Sequence, residues 1–349
     1  MAPDKVRYED RGAPPGGVAA GDSGQRGRAE HDAVSNRGER VSHLYPNDLY
    51  YAHLSLYRLA LPLARGADVL DAGCGSGYGS SYLAARGAAS VLGIDVDPAA
   101  IDFCQRHFEA PNLCFDVLDI RRAAELGERR FDLVFSSNTL EHVPDVRRFL
   151  RAAHSLLRPS GVLVVAVPPV TTEHQMLLEM SNAHHLNIWT PAQWLHVVRQ
   201  YFAAAVLLGH QVARAGPAPD FDNRPGDTTI DETDFAFPAL DPLAPAPWTL
   251  SVVIEAREPR TAGELPPARE PPSFVDHSFT RPSPLVPPLR PDALDAPSRP
   301  VSRLPGRALV LLREDGLRAL TIEARRYAWW RARRWQARRA LRRWRGPRR

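Results

Sequence analysis

Val69-Leu70-Asp71-Ala72-Gly73-Cys74-Gly75-Ser76-Gly77-Tyr78-Gly79 is the stretch on which the reading of this chain turns. A short apolar run carrying one acid passes into alternating glycines and then into a helix-forming sequence. Glycine lets the turn tighten and lets a ligand come close to the backbone. Alone, such a loop is a weak signal, because a tight turn can need the same residues. Its surroundings sharpen it. Asp95 ends the next apolar run, Val91-Leu92-Gly93-Ile94-Asp95. There, about 20 residues on, an acid can accept hydrogen bonds from ribose hydroxyls in a nucleotide-type site. Asp97 stands just before Pro98 and reads instead as a helix N-cap.

Working outward, strand-like and helix-like runs alternate. Strands are expected at Val69–Ala72, Ser90–Asp95, Asn112–Asp116, Phe131–Ser136 and Val162–Val167. Helices are expected at Tyr78–Arg86, Pro98–Phe108, Val146–Leu157 and Pro191–Phe202, with a helical lead-in over His43–Leu63. Buried parallel strands read as short continuous apolar runs, as Val162–Val167 does. The alternation implies an α/β fold, a Rossmann-like doubly wound sheet with helices on both faces. Two later runs, Ala205–Gly209 and Thr249–Ala256, can close the sheet. The acidic, Pro-rich interval 210–248 between them is longer than an ordinary loop, so it is either functional or disordered.

Polar residues gather at the strand ends. Asp119 follows the third strand, where it can meet an adenine amino group, with Asp116 the alternative. Phe131-Asp-Leu-Val-Phe-Ser-Ser-Asn138-Thr-Leu-Glu141-His142-Val143 gives a fourth strand with a polar end. Ligands of open α/β sheets sit at the carboxyl ends of the strands.

Taken together, DAGCGSGYG, GIDVDP, FDLVFSSNTLEHV and LLRPSGVLVV resemble the class I S-adenosylmethionine-dependent methyltransferases over roughly residues 38–258. The resemblance implies the seven-stranded methyltransferase fold and S-adenosyl-L-methionine as cofactor. It implies that Asp71 and Gly73 border the methionine part and that Gly75 and Gly77 line the loop. Asp95 then holds the ribose, Asp119 reads the adenine, and the backbone around Asn138 closes the sulfonium side. A narrower likeness rests on Gly38-Glu39-Arg40, CGSGYGS and Leu312–Leu320. These look like bacterial methyltransferases found with, or fused to, glycosyltransferases of surface-polysaccharide assembly.

Methyl transfer to a hydroxyl needs a proton acceptor. His142 is the first candidate, near the start of a helix whose dipole would keep the ring neutral. Glu141 either shares that work or braces the loop. His184 and His185, beside Trp189, lie where this fold commonly meets the acceptor. Thr190-Pro191 reads as a cap. These groups lack a metal-ligand spacing such as HxxxH, so no metal is expected. The acceptor expected is a sugar hydroxyl of a surface glycan or its precursor. The alternatives are a small molecule, such as a quinone or secondary metabolite, and a non-catalytic binding module.

Composition bounds the rest. The chain has 349 residues, net charge +4, 33 prolines and 3 cysteines. Three separated cysteines argue against a disulfide scaffold or a zinc ribbon. The first residues have no apolar core of the signal-peptide kind, so a cytoplasmic protein is expected. Residues 322–349 hold 12 Arg against Glu323, a local +11, which leaves the preceding residues at about −7. Residues 1–37 read as a disordered N-terminus and 259–306 as a Pro-rich linker. Residues 307–349 read as a basic amphipathic helical tail. Its Trp and Arg suit a membrane surface or a glycosyltransferase partner through 317–349, with nucleic acid a weaker rival. Membrane docking would make the protein peripheral at the inner membrane face.

Overall fold

The computed structural model describes residues 40–266, apart from 144, 172–174, 177–178, 180–181, 183–184, 215–218, 222 and 242–248. The expected disordered N-terminus and the basic tail 307–349 lie outside the described residues, as does most of the Pro-rich linker.

The first helix, α1 (Asp48–Ala64), starts where the Asn47 side chain accepts the Tyr50 N–H. Next come β1 (Asp68–Ala72), α2 (Tyr78–Ala85), β2 (Ser90–Asp95), α3 (Pro98–His107), β3 (Leu113–Val117) and β4 (Phe131–Ser137). They are followed by α4 (Val146–Leu156), β5 (Leu157–Val167), α5 (Pro191–Arg199) and β6 (Phe202–Gly209). A two-residue pair, β7 (Gln211–Val212) and β8 (Phe235–Ala236), precedes the last strand, β9 (Val252–Pro259). Seven strands form one sheet in the order β3-β2-β1-β4-β5-β9-β6. Pairing is parallel from β3 to β5, and β9 runs antiparallel between β5 and β6. The doubly wound, Rossmann-like expectation is met, and the two late runs do close the sheet.

Successive strand residues face opposite sides, and the core follows that rule. Leu70, Val134 and Val165 join α4 and α5 through Phe149, Leu150, Trp194 and Val198. Val69, Leu133 and Val164 join α1 and α2 through Leu56, Tyr57, Ala60 and Leu83. Arg158 ties the strand starts together, with Nη2 2.8 Å from Asp68 and Nη1 2.6 Å from Asp132.

Two boundaries differ from expectation. The linker does not begin at 259. The Arg260 N–H bonds Tyr201 O, and Arg260 O is 2.6 Å from His154 Nε2. These contacts keep the chain on the domain past the end of β9. The interval 210–248 is packed where it is described. Asp48, at the N-terminus of α1, accepts the Asp220 N–H at 3.0 Å, the Thr229 N–H at 2.8 Å and the Thr229 hydroxyl at 2.9 Å. β5 also starts earlier than Val162. Leu157 pairs with Phe131 and Val162 with Leu133, so residues 158–161 bulge out.

Three imidazoles, His210 buried and His43 and His53 half-buried, are kept neutral. Burial, helped by His107, brings the pKa of His43 down to about 4. Burial does the same for His53, to about 4, and burial with His53 nearby takes His210 to about 3. The unfolded chain takes up these protons near the ordinary value of ~6.5. Their stabilising effect is therefore present at neutral pH and lost as pH falls from ~6.5 towards 4. Asp71, raised to about 7 by burial, acts oppositely over the same range but is a single group. The melting temperature is expected to fall between pH 7 and pH 4. His43→Phe, which keeps the ring among Phe103 and Phe108, should flatten that slope in calorimetric scans.

Candidate active site

The loop between β1 and α2 is left-handed at Gly73 (φ 86°), Gly75 (φ 56°) and Gly77 (φ 78°). Two of these positions also need the missing side chain. A Cβ on Gly73 would lie 2.4 Å from the Thr139 methyl, and one on Gly77 2.6 Å from Cys104 Sγ. The glycines thus let the loop after β1 nest against the loop after β4 on one side and α3 on the other.

Asp95 turns its carboxylate to this loop. It accepts the Gly75 N–H at 3.1 Å and the Asp97 N–H at 3.0 Å. Asp97 caps α3 by accepting the Ala99 N–H at 3.0 Å, and Pro98 follows as expected. Arg40 forks across both acids, with Nη2 3.1 Å from Asp95 and Nη1 3.1 Å from Asp97. Ser76 donates to Val41 O at 2.5 Å. Residues 40–41 therefore form a strap over the glycine loop.

Asp71 faces inward. It is fully buried and accepts the Ser80 hydroxyl at 2.6 Å and the Tyr57 hydroxyl at 3.3 Å. Its carboxyl braces α1 and α2 from below the loop. Asp119 accepts the Arg121 N–H at 2.9 Å and pairs with the Arg121 guanidinium at 2.5 Å. It caps a 3-10 turn, Ile120–Leu126, while Asp116 lies on β3.

Asn138 follows β4 and is held left-handed at φ 48°, with its N–H bonded to Ala166 O at 2.9 Å. The Asn138 amide is 3.4 Å from His53 Nδ1 and donates to Ser137 Oγ at 3.1 Å. His53 and Tyr57 were not singled out in the sequence. Their i, i+4 spacing on α1, which aims both at the strand ends, is the signal that would have found them.

One expectation is corrected. His142 does not stand at the start of α4, where Asp145 caps the helix by accepting the Arg148 N–H. It ends the 3-10 turn Leu140–His142 instead, so no long-helix dipole acts on it. The backbone carbonyl of Glu141 accepts the Leu186 N–H at 2.6 Å and the Asn187 N–H at 3.0 Å. These bonds carry His185 to His142, with ring centroids 4.9 Å apart. His184 lies outside the described residues. Thr190 forms a full capping box with Gln193.

Asp95, Asn138 and the turn 140–142 all stand at the carboxyl ends of strands. Left-handed glycines beside a carboxylate that faces them fit a nucleotide-type ligand such as S-adenosylmethionine. Residues 70–165 match the family model described as "Methyltransferase domain". The matched segment lies within the Rossmann-like sheet and runs from β1 to β5. A ubiquinone biosynthesis O-methyltransferase of Azorhizobium caulinodans is 31% identical over 149 residues, which is 42% of this chain and 58% of that protein. A protein of the same name from Methylocella silvestris is 33% identical over 179 residues, 51% of this chain and 63% of its own. The chain thus spans about three fifths of the length of these curated relatives. The N-methyltransferase NodS from Bradyrhizobium japonicum, solved with S-adenosyl-l-homocysteine, is similar at a TM-score of 0.44 and 17% identity. That likeness covers 68% of this chain and 99% of NodS.

Hydrogen bonds to a charged group contribute about 1.5–3 kcal/mol. Asp95→Ala should therefore weaken S-adenosylmethionine binding about 10- to 100-fold in titration calorimetry. Asp97→Ala should cost about 1 kcal/mol of stability through its lost cap and leave that affinity nearly unchanged.

Proposed function

We propose that the chain is an S-adenosylmethionine-dependent O-methyltransferase acting on the hydroxyl of a small molecule. The observation that carries this is the bond from the Gly75 N–H to Asp95, which joins the glycine loop to a strand-end acid. The names of the relatives support a small acceptor of the quinone-precursor kind over the sugar hydroxyl of a glycan. They also favour it over a binding module without turnover.

The donor supplies an electrophilic methyl on a sulfonium centre. Asp95 would orient it through the ribose hydroxyls. The glycine loop would let it approach the backbone, and the strap at Arg40 and Val41 would help exclude water. The acceptor oxygen gains the methyl and loses its proton, while the electron pair of the broken carbon–sulfur bond stays on sulfur. The proton must leave on the side lined by Glu141, His142 and His185, the groups proposed to promote that loss. Holding donor and acceptor in line at near-attack distance supplies much of the rate.

The test offers methyl-labelled S-adenosylmethionine and purified protein to catechol-type phenols and, separately, to a bacterial glycolipid fraction. Label in the phenols, lost in Asp95→Ala and reduced at least tenfold in His142→Ala, is expected. Label confined to the glycolipid fraction would replace the acceptor by a sugar hydroxyl. It would also renew interest in a glycosyltransferase or membrane contact through the tail.

A further inference from the structure

The Asp95 carboxylate is almost filled by the chain's own donors. Oδ1 accepts two hydrogen bonds, from the Asp97 N–H at 3.0 Å and from Arg40 Nη2 at 3.1 Å. Oδ2 accepts one, from the Gly75 N–H at 3.1 Å. A carboxylate oxygen offers about two acceptor positions, so a single position is left, on Oδ2. A ribose that donates both vicinal hydroxyls needs two, one on each oxygen. Access is narrow as well. The Asp95 side chain is 9% exposed and that of Arg40 14%. The Arg40 stem crosses the loop, since a Cβ on Gly75 would lie 3.8 Å from Arg40 Cδ. Two of the three donors on Asp95 are backbone N–H groups, fixed in the glycine loop and beside the cap of α3. The third ends a flexible side chain that has a second partner, Asp97 Oδ2, 3.1 Å from Arg40 Nη1.

We propose that Arg40 sets the donor affinity of this site: its guanidinium occupies Asp95 Oδ1 and yields that position to a ribose hydroxyl. This exchange rests on the proposed function, in which Asp95 takes the ribose. The strap itself stays in place. Ser76 donates to Val41 O, Ser42 is fully buried, and the His43 ring packs on Phe103 and Phe108. Only Nη2 leaves, while Nη1 remains on Asp97. The Arg40–Asp97 pair is therefore present with and without donor and drops out of the balance, in keeping with the small effect expected of Asp97→Ala. A site whose competent state is populated only in part binds its ligand more weakly by that fraction. The rival arrangement keeps Arg40 on Asp95 in the complex, where it would steady the carboxylate and strengthen binding.

The test titrates the full chain with S-adenosyl-L-homocysteine in the calorimeter, wild type beside Arg40→Met. Methionine keeps an apolar stem over Gly75 and removes the charge. The variant should bind about 3- to 10-fold more tightly and keep the wild-type circular dichroism. Arg40→Gln should show the same gain and replaces the methionine variant if that one fails to fold. The second ligand is S-(2′-deoxyadenosyl)-L-homocysteine. Its lone ribose hydroxyl can be taken by Oδ2 with Arg40 in place, so its affinity should be equal in wild type and variant. S-adenosyl-L-homocysteine bound equally or more weakly by the variant overturns the exchange, as does the same gain for both ligands. Either result leaves the proposed reaction standing. Uptake of neither ligand by either protein overturns the donor reading and the exchange together.

Discussion

The site depends on β1 being paired with β2 on one side and β4 on the other. The chain winds outward from β1 through β2 to β3, then returns to β4 and winds the other way. The connections that leave β1 and β4 therefore part at their carboxyl ends, and a crevice opens where the winding reverses. The contact of Thr139 with Gly73 joins the two departing loops at this point. A side chain on Gly73 would push them apart and change the floor of the crevice.

Much of this was legible in the chain because it rests on local rules. The strand and helix runs are set by apolar patterning, and their bounds move by only a few residues. The Asp97-Pro98 cap and the Thr190-Pro191 cap are matters of neighbouring residues, and both stand as read. What was not legible depends on long-range packing. Arg40 lies far from Asp95 and Asp97 in sequence and forks onto both only because residues 40–41 cross the glycine loop. His53 reaches Asn138 only because α1 packs on the second face of the sheet. Glu141 and His142 meet His185 only through hydrogen bonds between backbones distant in sequence. Asp119 reads as a strand-end acid, yet its carboxylate is engaged by Arg121, a choice between partners that sequence alone does not decide.

The two halves of the crevice differ in chemistry. The half proposed for the donor is built of backbone, left-handed glycine and two carboxylates bridged by one guanidinium. Such a surface suits a ligand recognised by its hydroxyls and by close approach. The half proposed for the acceptor is lined by imidazoles and a buried carboxylate on a short turn, which suits proton chemistry. β4 serves both, because Asn138, just after the strand, stands on the proposed donor side and the next turn on the proposed acceptor side. A change in the length of that turn would uncouple the two.

The tie between Asp48 and residues 220 and 229 joins the long interval after β6 to the first turn of α1. The same helix carries His53 beside Asn138 and Tyr57 against Asp71. Loop and helix are thus one mechanical part, a lever pinned at its outer end by three hydrogen bonds to a single carboxylate. A displacement of the interval by an arriving molecule would be felt at the floor of the crevice as a tilt of α1, with no residue of the interval having to touch the donor.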